Sequence, residues 1–421
     1  MVCKLLEEEV SYPGYEEELI SAEISKELQE YKCIQIACDS EWAIKRFFGA
    51  IRDKRLQKLF QLVAVCGIQK DAKEAIESLE KGIIGNGSPE EMKENARFLR
   101  QKLLSEEFLY FHVNGDCSLP EELYEKGPEI VVIHSKNTTH LGYITDGIKH
   151  KKNVLCEKPL VPVLDENGNP TEKYLKELEK IVETTNGGLV LMDAEHYSQK
   201  KASIIFYENL EDILKDENNK TRKIKSIEGS LIEIDNPYKW RTLAVLSIEN
   251  QTGLLGDTMV HMLSFISNLR GRAIPVYREY DKFEDKKVKY DVDTYNQVEY
   301  KIENAGRNFF TEEAKASLTV AKFADKAGKE DKKEIKFVLD DNSKIVLDFK
   351  TGSVTKTKNS KTKSYSEKSI ISSNEYINVL NHFYNSLSTG QKPLTSFDNS
   401  LLTLRAIYNT YKIGKKVEFY N

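Results

Sequence analysis

The chain has 421 residues, of which 40% are hydrophobic and 31% are charged, and its 62 Lys and Arg residues against 67 Asp and Glu residues give a net charge of −5. This composition is typical of a globular protein of about two or three domains. Nucleic-acid binders usually carry a basic excess, so the charge balance argues against that class of protein. No apolar run approaches the roughly 20 residues that a membrane-spanning helix needs. Three consecutive acids near the N-terminus argue against a signal peptide, and we expect a cytoplasmic protein.

The cysteines and histidines indicate neither a disulfide framework nor a metal site. The chain has six cysteines and seven histidines. No two cysteines have the C-x-x-C spacing of structural zinc ligands, and no two histidines have the H-E-x-x-H spacing of catalytic ones. We therefore expect reduced thiols and no bound metal.

The first half of the chain is predicted to alternate strands and helices. Residues 1–31 form an N-terminal extension with one amphipathic helix. Buried strands are expected at 33–38 and 62–66, on either side of a helix over 41–59, which indicates a βαβ unit. Residues 68–127 are predicted to be mostly helical.

Three more strands are expected before the middle of the chain. They lie at 130–133, 153–156 and 189–192, with helical patterns between them. Strands that alternate with helices in this way are typical of a doubly wound parallel sheet. The sequence therefore predicts an α/β domain over residues 32–193.

The second half, residues 194–421, is predicted to be an α+β domain with an open, mostly antiparallel sheet. Near-alternating runs predict strands at 226–234, 288–302, 314–323 and 334–349, and helical patterns occur near 257–269, 373–388 and 396–412. The lysine-rich stretch 355–363 is predicted to be an exposed hairpin that turns at Asn359-Ser360, because lysines commonly protect exposed sheet edges.

The turn after the first strand is the place where a dinucleotide fold carries its glycine-rich loop. Cys38, Ser40 and Ala43 stand where the G-x-G-x-x-G or G-x-G-x-x-A fingerprint has its small residues, and Asp39 and Trp42 lie in the same loop. The fingerprint is therefore degenerate, although small residues keep the loop sterically possible. An ordinary strand-to-helix turn remains the alternative.

The second strand lacks the acid that usually binds the ribose 2′-hydroxyl of NAD. It ends in Gly67, with Lys70 close behind. Nearby lysines suit a 2′-phosphate better, so the sequence favours NADP weakly over NAD, and the alternative is a cofactor site that has lost its usual contacts.

Two segments near the middle carry a more specific pattern. Residues 134–140 read H-S-K-N-T-T-H, and residues 154–159 read V-L-C-E-K-P. They resemble the V-V-I-A-T-P-N-x-x-H and G-K-H-V-L-C-E-K-P segments of the Gfo/Idh/MocA oxidoreductases. Asn137 and His140 match, as does all of 154–159, whereas residues 134–136 depart from A-T-P.

This resemblance implies a Rossmann-like domain that binds NAD or NADP, and it gives the residues of these segments their roles. Lys158 is implied to contact both the nicotinamide side and the substrate hydroxyl, and a cis peptide is implied within the E-K-P turn. A lysine at a strand end can stabilise a developing alkoxide. The cofactor contacts implied by these segments are Ser135, Lys136, Asn137, His140, Glu157 and Lys158.

A third segment supports the same resemblance. Residues 252–261 read T-G-L-L-G-D-T-M-V-H and are similar to the G-G-G-x-L-x-D-x-G-x-H of the family. Asp257 and His261 are four residues apart and are predicted to share one face of a helix, where the carboxylate can orient the imidazole or share its substrate hydroxyl. Histidine suits the removal of a hydroxyl proton, so Lys158, Asp257 and His261 are the predicted catalytic residues.

The segment after the last strand of the first domain departs from the family. Residues 193–201 read D-A-E-H-Y-S-Q-K-K where many relatives have a G-F-N-R-R-F-like run. Ligands bind at the carboxyl ends of strands in open α/β sheets, so this polar set is predicted to bind substrate, with a domain hinge as the alternative. Trp240-Arg241 resembles a W-R pair beside sugar sites in relatives. The predicted substrate-binding residues are Glu195, His196, Tyr197, Lys200, Trp240 and Arg241.

The leading hypothesis is an NAD(P)-dependent oxidoreductase that transfers a hydride between the cofactor and a secondary hydroxyl or ketone of a sugar, sugar derivative or cyclitol. One alternative is a redox-neutral NAD-dependent glycosidase of the same family. Another is a non-catalytic sugar- or nucleotide-sensing regulator, which the degenerate loop favours and the retained Lys158, Asp257 and His261 oppose. The resemblance also implies a homodimer or homotetramer formed through the C-terminal sheet.

Overall fold

The computed structural model describes residues 29–38, 40–85, 88–113, 117–185, 188–233, 251–283, 292–322, 331–369 and 371–413. The predicted N-terminal helix, Asp39, Trp240 and Arg241 lie outside these residues. The five cysteines within them are free thiols. Among the helices that the structure describes, none combines the length and hydropathy of a membrane-spanning segment.

The first half folds around a six-stranded sheet in which every neighbouring pair is parallel. Its strands are β1 (Tyr31–Ile36), β2 (Phe60–Gly67), β3 (Leu109–His112), β4 (Ile130–Ile133), β5 (Asn153–Cys156) and β6 (Leu191–Asp193). The spatial order β3-β2-β1-β4-β5-β6 is that of dinucleotide-binding folds. The predicted doubly wound domain is therefore confirmed.

Helices cover both faces of this sheet. Helix α1 combines Glu41–Ala43, a π-helical turn Ile44–Phe48 and Gly49–Ile51, and α2 (Ala72–Leu79) continues into a second π-helical turn, Glu80–Ile84. The others are α3 (Glu90–Leu103), α4 (Glu121–Glu125), α5 (Asn137–Lys149) and α6 (Lys173–Thr184). The helix predicted over 41–59 is shorter than expected, and strand β3 was missed in a region predicted to be mostly helical. β3 is a short edge strand with no buried residue, so it lacks the apolar run that marks the central strands.

The second half contains an eight-stranded sheet of order β14-β13-β12-β11-β7-β10-β9-β8. Its strands are β7 (Ile224–Glu233), β8 (Gly271–Phe283), β9 (Val292–Asn304), β10 (Phe310–Lys322), β11 (Lys332–Leu339), β12 (Lys344–Asp348), β13 (Ser353–Lys358) and β14 (Lys361–Tyr365). Among the described strand pairs of this second sheet, only β7–β10 is parallel, and the others are antiparallel. The predicted mostly antiparallel sheet is confirmed.

Two details of this sheet differ from the sequence prediction, and one agrees. The single strand predicted over 334–349 is two strands joined by a turn in which Asn342 takes a left-handed conformation (φ 62°). The edge strand β8 was not predicted. The lysine-rich hairpin is confirmed, and its turn residues Asn359 (φ 48°) and Ser360 (φ 62°) are both left-handed.

Helices of the second half pack on its sheet, and some of them also contact the first half. They are α7 (Lys201–Glu208), α8 (Leu210–Leu214), α9 (Val260–Asn268), α10 (Glu375–Thr389) and α11 (Phe397–Lys412). Although α10 is near the end of the chain, its Tyr376 and Phe383 share a buried cluster with Phe47 and Phe48 of α1. Just before α11, the Thr395 hydroxyl donates to the carbonyl of Asp193 at the end of β6 (2.7 Å). The first sheet ends at Asp193, and the boundary between the domains stays a prediction.

We expect Phe337→Ala to destabilise the second half strongly. Phe337 is fully buried in β11 and stacks on Phe206 of α7 with ring centroids 5.0 Å apart. Removal of a buried phenylalanine ring costs about 3–5 kcal/mol in free energy of unfolding. Urea denaturation followed by circular dichroism measures the change. Val276→Ala is the control, because Val276 is 58% exposed and its loss should change stability by less than about 0.5 kcal/mol.

Candidate active site

A cleft of about 1090 Å³ lies between the carboxyl end of the first sheet and one end of the second. Thirteen of the predicted site residues line it: Ser40, Trp42, Ser135, Lys136, Asn137, His140, Glu157, Lys158, His196, Tyr197, Lys200, Asp257 and His261. Five others are placed elsewhere by the structure: Cys38, Ala43, Gly67, Lys70 and Glu195. The structure thus brings together most of the cofactor, catalytic and substrate residues that the motifs predict.

The turn after β1 is built differently from the prediction. The residue with a left-handed backbone is Ala37 (φ 63°), one position before Cys38, so the tight turn occurs one residue earlier than expected. Ser40 caps α1 by accepting a hydrogen bond from the backbone N–H of Ala43 (3.0 Å). Cys38 and Ala43 are buried beneath the turn and do not reach the cleft. Their small size is explained by packing.

The end of β2 also has a packing explanation. A Cβ atom on Gly67 would lie 2.6 Å from the Tyr110 hydroxyl, so glycine makes room for that ring. Tyr110 donates to the carbonyl of Gln69 (2.9 Å) and thereby fixes the loop after β2. Ile68 and Gln69, rather than Gly67 and Lys70, line the cleft here. The nearest acid, Asp71, is engaged as the N-cap of α2.

His140 packs between two loops, and both of its ring nitrogens lie within hydrogen-bond distance of backbone carbonyls. Its Nδ1 lies 2.9 Å from the carbonyl of Pro159 and its Nε2 lies 2.9 Å from the carbonyl of Ser135. Burial lowers the pKa of His140 to about 4. A neutral imidazole has one N–H, so it donates to one of these two carbonyls at a time while the ring packs between the loop after β4 and the loop after β5. In the second loop the Lys158-Pro159 peptide is cis, as the family resemblance implies.

Lys158 and Asp257 form the centre of the site. The Lys158 Nζ atom donates to the Asp257 carboxylate (2.9 Å) and to the Asp257 backbone carbonyl (2.7 Å). On the other side, the Nζ of Lys322 lies 2.5 Å from the second carboxylate oxygen. Burial by itself would raise the pKa of Asp257, but the two ammonium groups hold it well below its ordinary value. Asp257 is therefore a permanent anion between two lysines.

The Asp257 carboxylate contacts Lys158 and Lys322 and does not orient His261, whereas the other role predicted for it, sharing the substrate hydroxyl, stays a prediction. Asp257 lies in a π-helical turn, Leu255–Met259, that precedes α9. The His261 Nδ1 atom instead lies 2.5 Å from an oxygen of Glu195. Asp257 faces the lysines, and a different carboxylate serves the imidazole.

Glu195 does not line the cleft, and its predicted contact with substrate stays a prediction. It is 2% exposed and caps the short 3₁₀ helix His196–Gln199. Besides the imidazole, its carboxylate accepts from the backbone N–H of Tyr197 (2.9 Å), from the backbone and hydroxyl of Ser198 (2.8 and 2.6 Å) and from the Ser264 hydroxyl (3.1 Å). Burial opposes its ionisation, but these donors lower the pKa of Glu195.

The state of His261 follows from these contacts. Burial and the nearby Lys158 ammonium lower its pKa, so the imidazole is neutral at pH 7. The Glu195 carboxylate can only accept, so the proton of the imidazole belongs on Nδ1. The unprotonated Nε2 is then the atom that can take a proton from a ligand in the cleft.

The remaining predicted substrate residues form a charged wall of the cleft. The Tyr197 ring stacks on His261 with centroids 4.3 Å apart, and the Lys200 Nζ lies 4.4 Å above the Tyr197 ring. Lys200 also pairs with Glu375 of α10 (2.6 Å), which in turn pairs with Arg46 of α1 (3.3 Å). This wall therefore joins helices of both halves.

Sequence reasoning missed several residues that line the cleft. They are Arg46, Glu233, Lys322, Lys333 and Glu375. Lys322 is directly opposite Glu233 in the β7–β10 register, and Lys333 pairs with Glu233 at 2.9 Å. Charged residues at three strand ends were the available signal, but their convergence depends on a register that the sequence does not state.

Glu195, His196 and His261 present ligand-type atoms within 4.8 Å of one another. The Glu195 carboxylate already accepts five hydrogen bonds from protein donors, including the one from His261. The expectation of no bound metal stays a prediction.

Comparison with known proteins supports the resemblance that the motifs predict. Residues 46–185, about a third of the chain, match the model of the Gfo/Idh/MocA family, described as an oxidoreductase family with an NAD-binding Rossmann fold. The match falls on the first half and includes the H-S-K-N-T-T-H and V-L-C-E-K-P segments. No curated protein sequence matches the chain significantly.

Solved structures of similar fold cover nearly the whole chain. A levoglucosan dehydrogenase, in complex with NADH and levoglucosan, has a TM-score of 0.66 at 14% identity over 91% of this chain and 97% of that one. The UDP-N-acetylglucosamine 3-dehydrogenase GnnA from Acidithiobacillus ferrooxidans has a TM-score of 0.59 at 13% identity over 90% and 96%. The 3-ketoreductase KijD10 from Actinomadura kijaniata, in complex with NADP and TDP-benzene, has a TM-score of 0.60 at 12% identity over 92% and 98%. At these identities the similarity shows the fold.

We expect ¹⁵N-histidine NMR to show His261 neutral at pH 7, with its proton on Nδ1, and to show that it titrates below the ordinary histidine pKa of about 6.5. His261→Gln assigns the signal. In Glu195→Gln an amide group replaces the pure acceptor, so the Nδ1–H form should lose its preference. Ser264→Ala is the control, because it removes one donor to Glu195 and leaves the imidazole contact in place. A wild-type signal with the proton on Nε2 would contradict the assignment.

Proposed function

We propose that the protein is an NAD(P)-dependent oxidoreductase that acts on a secondary hydroxyl or ketone of a sugar, sugar derivative or cyclitol. The observation that carries the proposal is the convergence of Lys158, Asp257 and a neutral His261 in one cleft. The other end of that cleft is the crevice of a sheet with dinucleotide-binding strand order. A protein that only binds ligand does not require this set of an ammonium, a fixed anion and an unprotonated imidazole.

Glu157 supplies the test of whether the cleft fits a dinucleotide. It is 5% exposed and lines the cleft, and the indole N–H of Trp42 is the one donor among the described residues that faces its carboxylate. Burial raises the pKa of Glu157 to about 7. A buried acceptor of this kind requires donors from a ligand, and the ribose hydroxyls of a dinucleotide are such donors. The residues present therefore fit the cofactor that the family implies.

The roles of the other residues around the crevice follow from their positions. The N-terminal turn of α1 after Ser40 offers backbone N–H groups for a pyrophosphate. Ser135, Lys136 and Asn137 line the next part of the crevice, and Asn137 also donates to the Thr252 hydroxyl from the second half. When bound, NAD(P)⁺ supplies a hydride acceptor.

The residues of the chain supply the proton chemistry. The Nε2 atom of His261 takes the proton of the substrate hydroxyl as the hydride leaves the same carbon and the C=O bond forms. Glu195 stabilises the resulting imidazolium. The Lys158 ammonium, held by Asp257, stabilises negative charge that develops on the substrate oxygen. In the reverse direction, His261 returns the proton as the ketone is reduced.

The substrate half of the cleft suits a polyhydroxylated molecule. Its cations (Lys200, Lys322 and Lys333) each pair with a carboxylate that also lines the cleft, so donors and acceptors alternate around it. Hydroxyl groups both donate and accept, and they match such an arrangement. The carbohydrate-related names of the three structural neighbours support the same class.

The first test is nucleotide binding followed by hydride transfer. Any carried nucleotide is released and identified, NAD⁺ and NADP⁺ are titrated by calorimetry, and sugars, sugar derivatives and cyclitols are screened for reduced-cofactor formation. Lys158→Met and His261→Gln should each lower kcat by about 10²-fold or more. The matched control is Lys301→Met on the exposed surface of β9, which should retain activity.

Other outcomes separate the alternatives. Turnover without added cofactor, together with a tightly held nucleotide, would favour a redox-neutral glycosidase. Failure of both nucleotides to bind at millimolar concentration would overturn the proposal and leave a sugar-sensing regulator. A homodimer or homotetramer through the eight-stranded sheet and a cytoplasmic location remain further proposals.

For the cofactor preference, we expect tighter binding of NADP⁺ than of NAD⁺. The acid nearest the end of β2, Asp71, caps α2, whereas Lys70 and Lys73 are exposed beside it. The double variant Lys70→Glu/Lys73→Glu should weaken NADP⁺ binding by about tenfold or more and NAD⁺ binding much less, because only NADP⁺ carries the 2′-phosphate. Lys81→Glu, at an exposed position farther along the chain, is the control. An equal loss of affinity for both nucleotides would contradict this assignment.

A further inference from the structure

Trp42 occupies an unusual place in the dinucleotide-type turn. It is the second residue after the N-cap Ser40, in the first turn of α1, at the variable position directly before the last small residue of the fingerprint, Ala43. The large indole extends into the cleft. No role for an aromatic ring at this position follows from the fingerprint or from the proton chemistry above.

The indole is held from three directions. The Arg46 guanidinium lies 4.6 Å from the ring centroid, in a cation–π contact one helical turn away. The indole N–H faces the Glu157 carboxylate and lowers its pKa against the larger effect of burial. The His196 ring meets the indole edge-on, with centroids 6.4 Å apart. Trp42 is therefore part of a fixed wall, and its position is set by charges of both halves, because Arg46 also pairs with Glu375.

This wall lies between the two ends of the cleft. The N-terminus of α1 is the end suited to a pyrophosphate, and Lys158 marks the end where hydride transfer is proposed. Trp42 belongs to the N-terminal turn of α1, and its indole N–H faces Glu157, the residue directly before Lys158. His196, on its far edge, is 4.8 Å from the ring of His261. A dinucleotide that runs from α1 to Lys158 has to pass the indole with its nicotinamide half.

We infer that Trp42 is the contact surface for the nicotinamide half of the cofactor. The inference rests on the proposed function. An indole is rigid and large, and it provides such a surface at little cost in conformational entropy. The loop after β1 lacks the glycines of the fingerprint, and contact between the Trp42 indole and the dinucleotide would restore part of the binding energy that those glycines usually provide.

The chain has two tryptophans, Trp42 and Trp240, so fluorescence can test the inference. In the full-length Trp240→Phe variant, Trp42 is the single tryptophan. We expect NAD⁺ or NADP⁺ to quench its emission at saturation, and ADP-ribose, which lacks the nicotinamide ring, to leave most of the emission unchanged. Calorimetry on the same sample reports binding independently. Binding without quenching would overturn the inference and leave the proposed function standing, whereas no binding of either dinucleotide would overturn both.

A second experiment separates ring contact from a merely structural role. Trp42→Ala should weaken binding of the dinucleotide by about tenfold or more, which is about 1.4 kcal/mol, and leave the affinity for ADP-ribose within about twofold. Trp42→Phe keeps an aromatic surface and should recover part of the loss. A parallel loss of dinucleotide and ADP-ribose affinity in Trp42→Ala would mean that the indole only shapes the turn, and it would overturn the inference.

Discussion

The site depends on one buried carboxylate. Asp257 carries its charge out of water, which is unfavourable unless cations and hydrogen bonds replace the lost solvation. Lys158 comes from the loop after β5 of the first sheet, and Lys322 comes from the end of β10 in the second. Both ammonium groups reach the same carboxylate only when the two sheets have one relative position. The pairing that stabilises the anion therefore also fixes the cleft between the two halves.

A second buried carboxylate, Glu195, allows the lysines and the imidazole to have separate partners. Glu195 holds the imidazole of His261, so Asp257 is left to hold the lysines. If one carboxylate served both, the lysines and the imidazole would compete for its oxygens. Asp257 lies in the π-helical turn Leu255–Met259 and His261 lies in α9 directly after it, so neighbouring segments of one helical stretch supply the two groups.

The sequence predicted the elements that carry continuous apolar runs, and it failed where an element is partly exposed. Strands such as β4 and β5 are buried on both faces, so their composition identifies them. The missed strands β3 and β8 lie at sheet edges, and β8 exposes Val276 and Tyr277. An edge strand is stabilised by backbone pairing with its one neighbour, which leaves a weak pattern in its own residues.

By itself, the sequence predicted the class of the protein, and most of the site residues that it named line the cleft. The V-L-C-E-K-P run and the D-x-x-x-H pair are local motifs, and their residues reach the site because they stand at the ends of predictable elements. Only the tertiary structure decided which carboxylate contacts the imidazole and which contacts the lysines. The Glu195–His261 contact joins residues 66 positions apart, and the Asp257–Lys322 contact joins residues 65 positions apart. Such pairings depend on strand register and on the packing of one sheet against another, and neither can be inferred from the residues that neighbour them in the sequence.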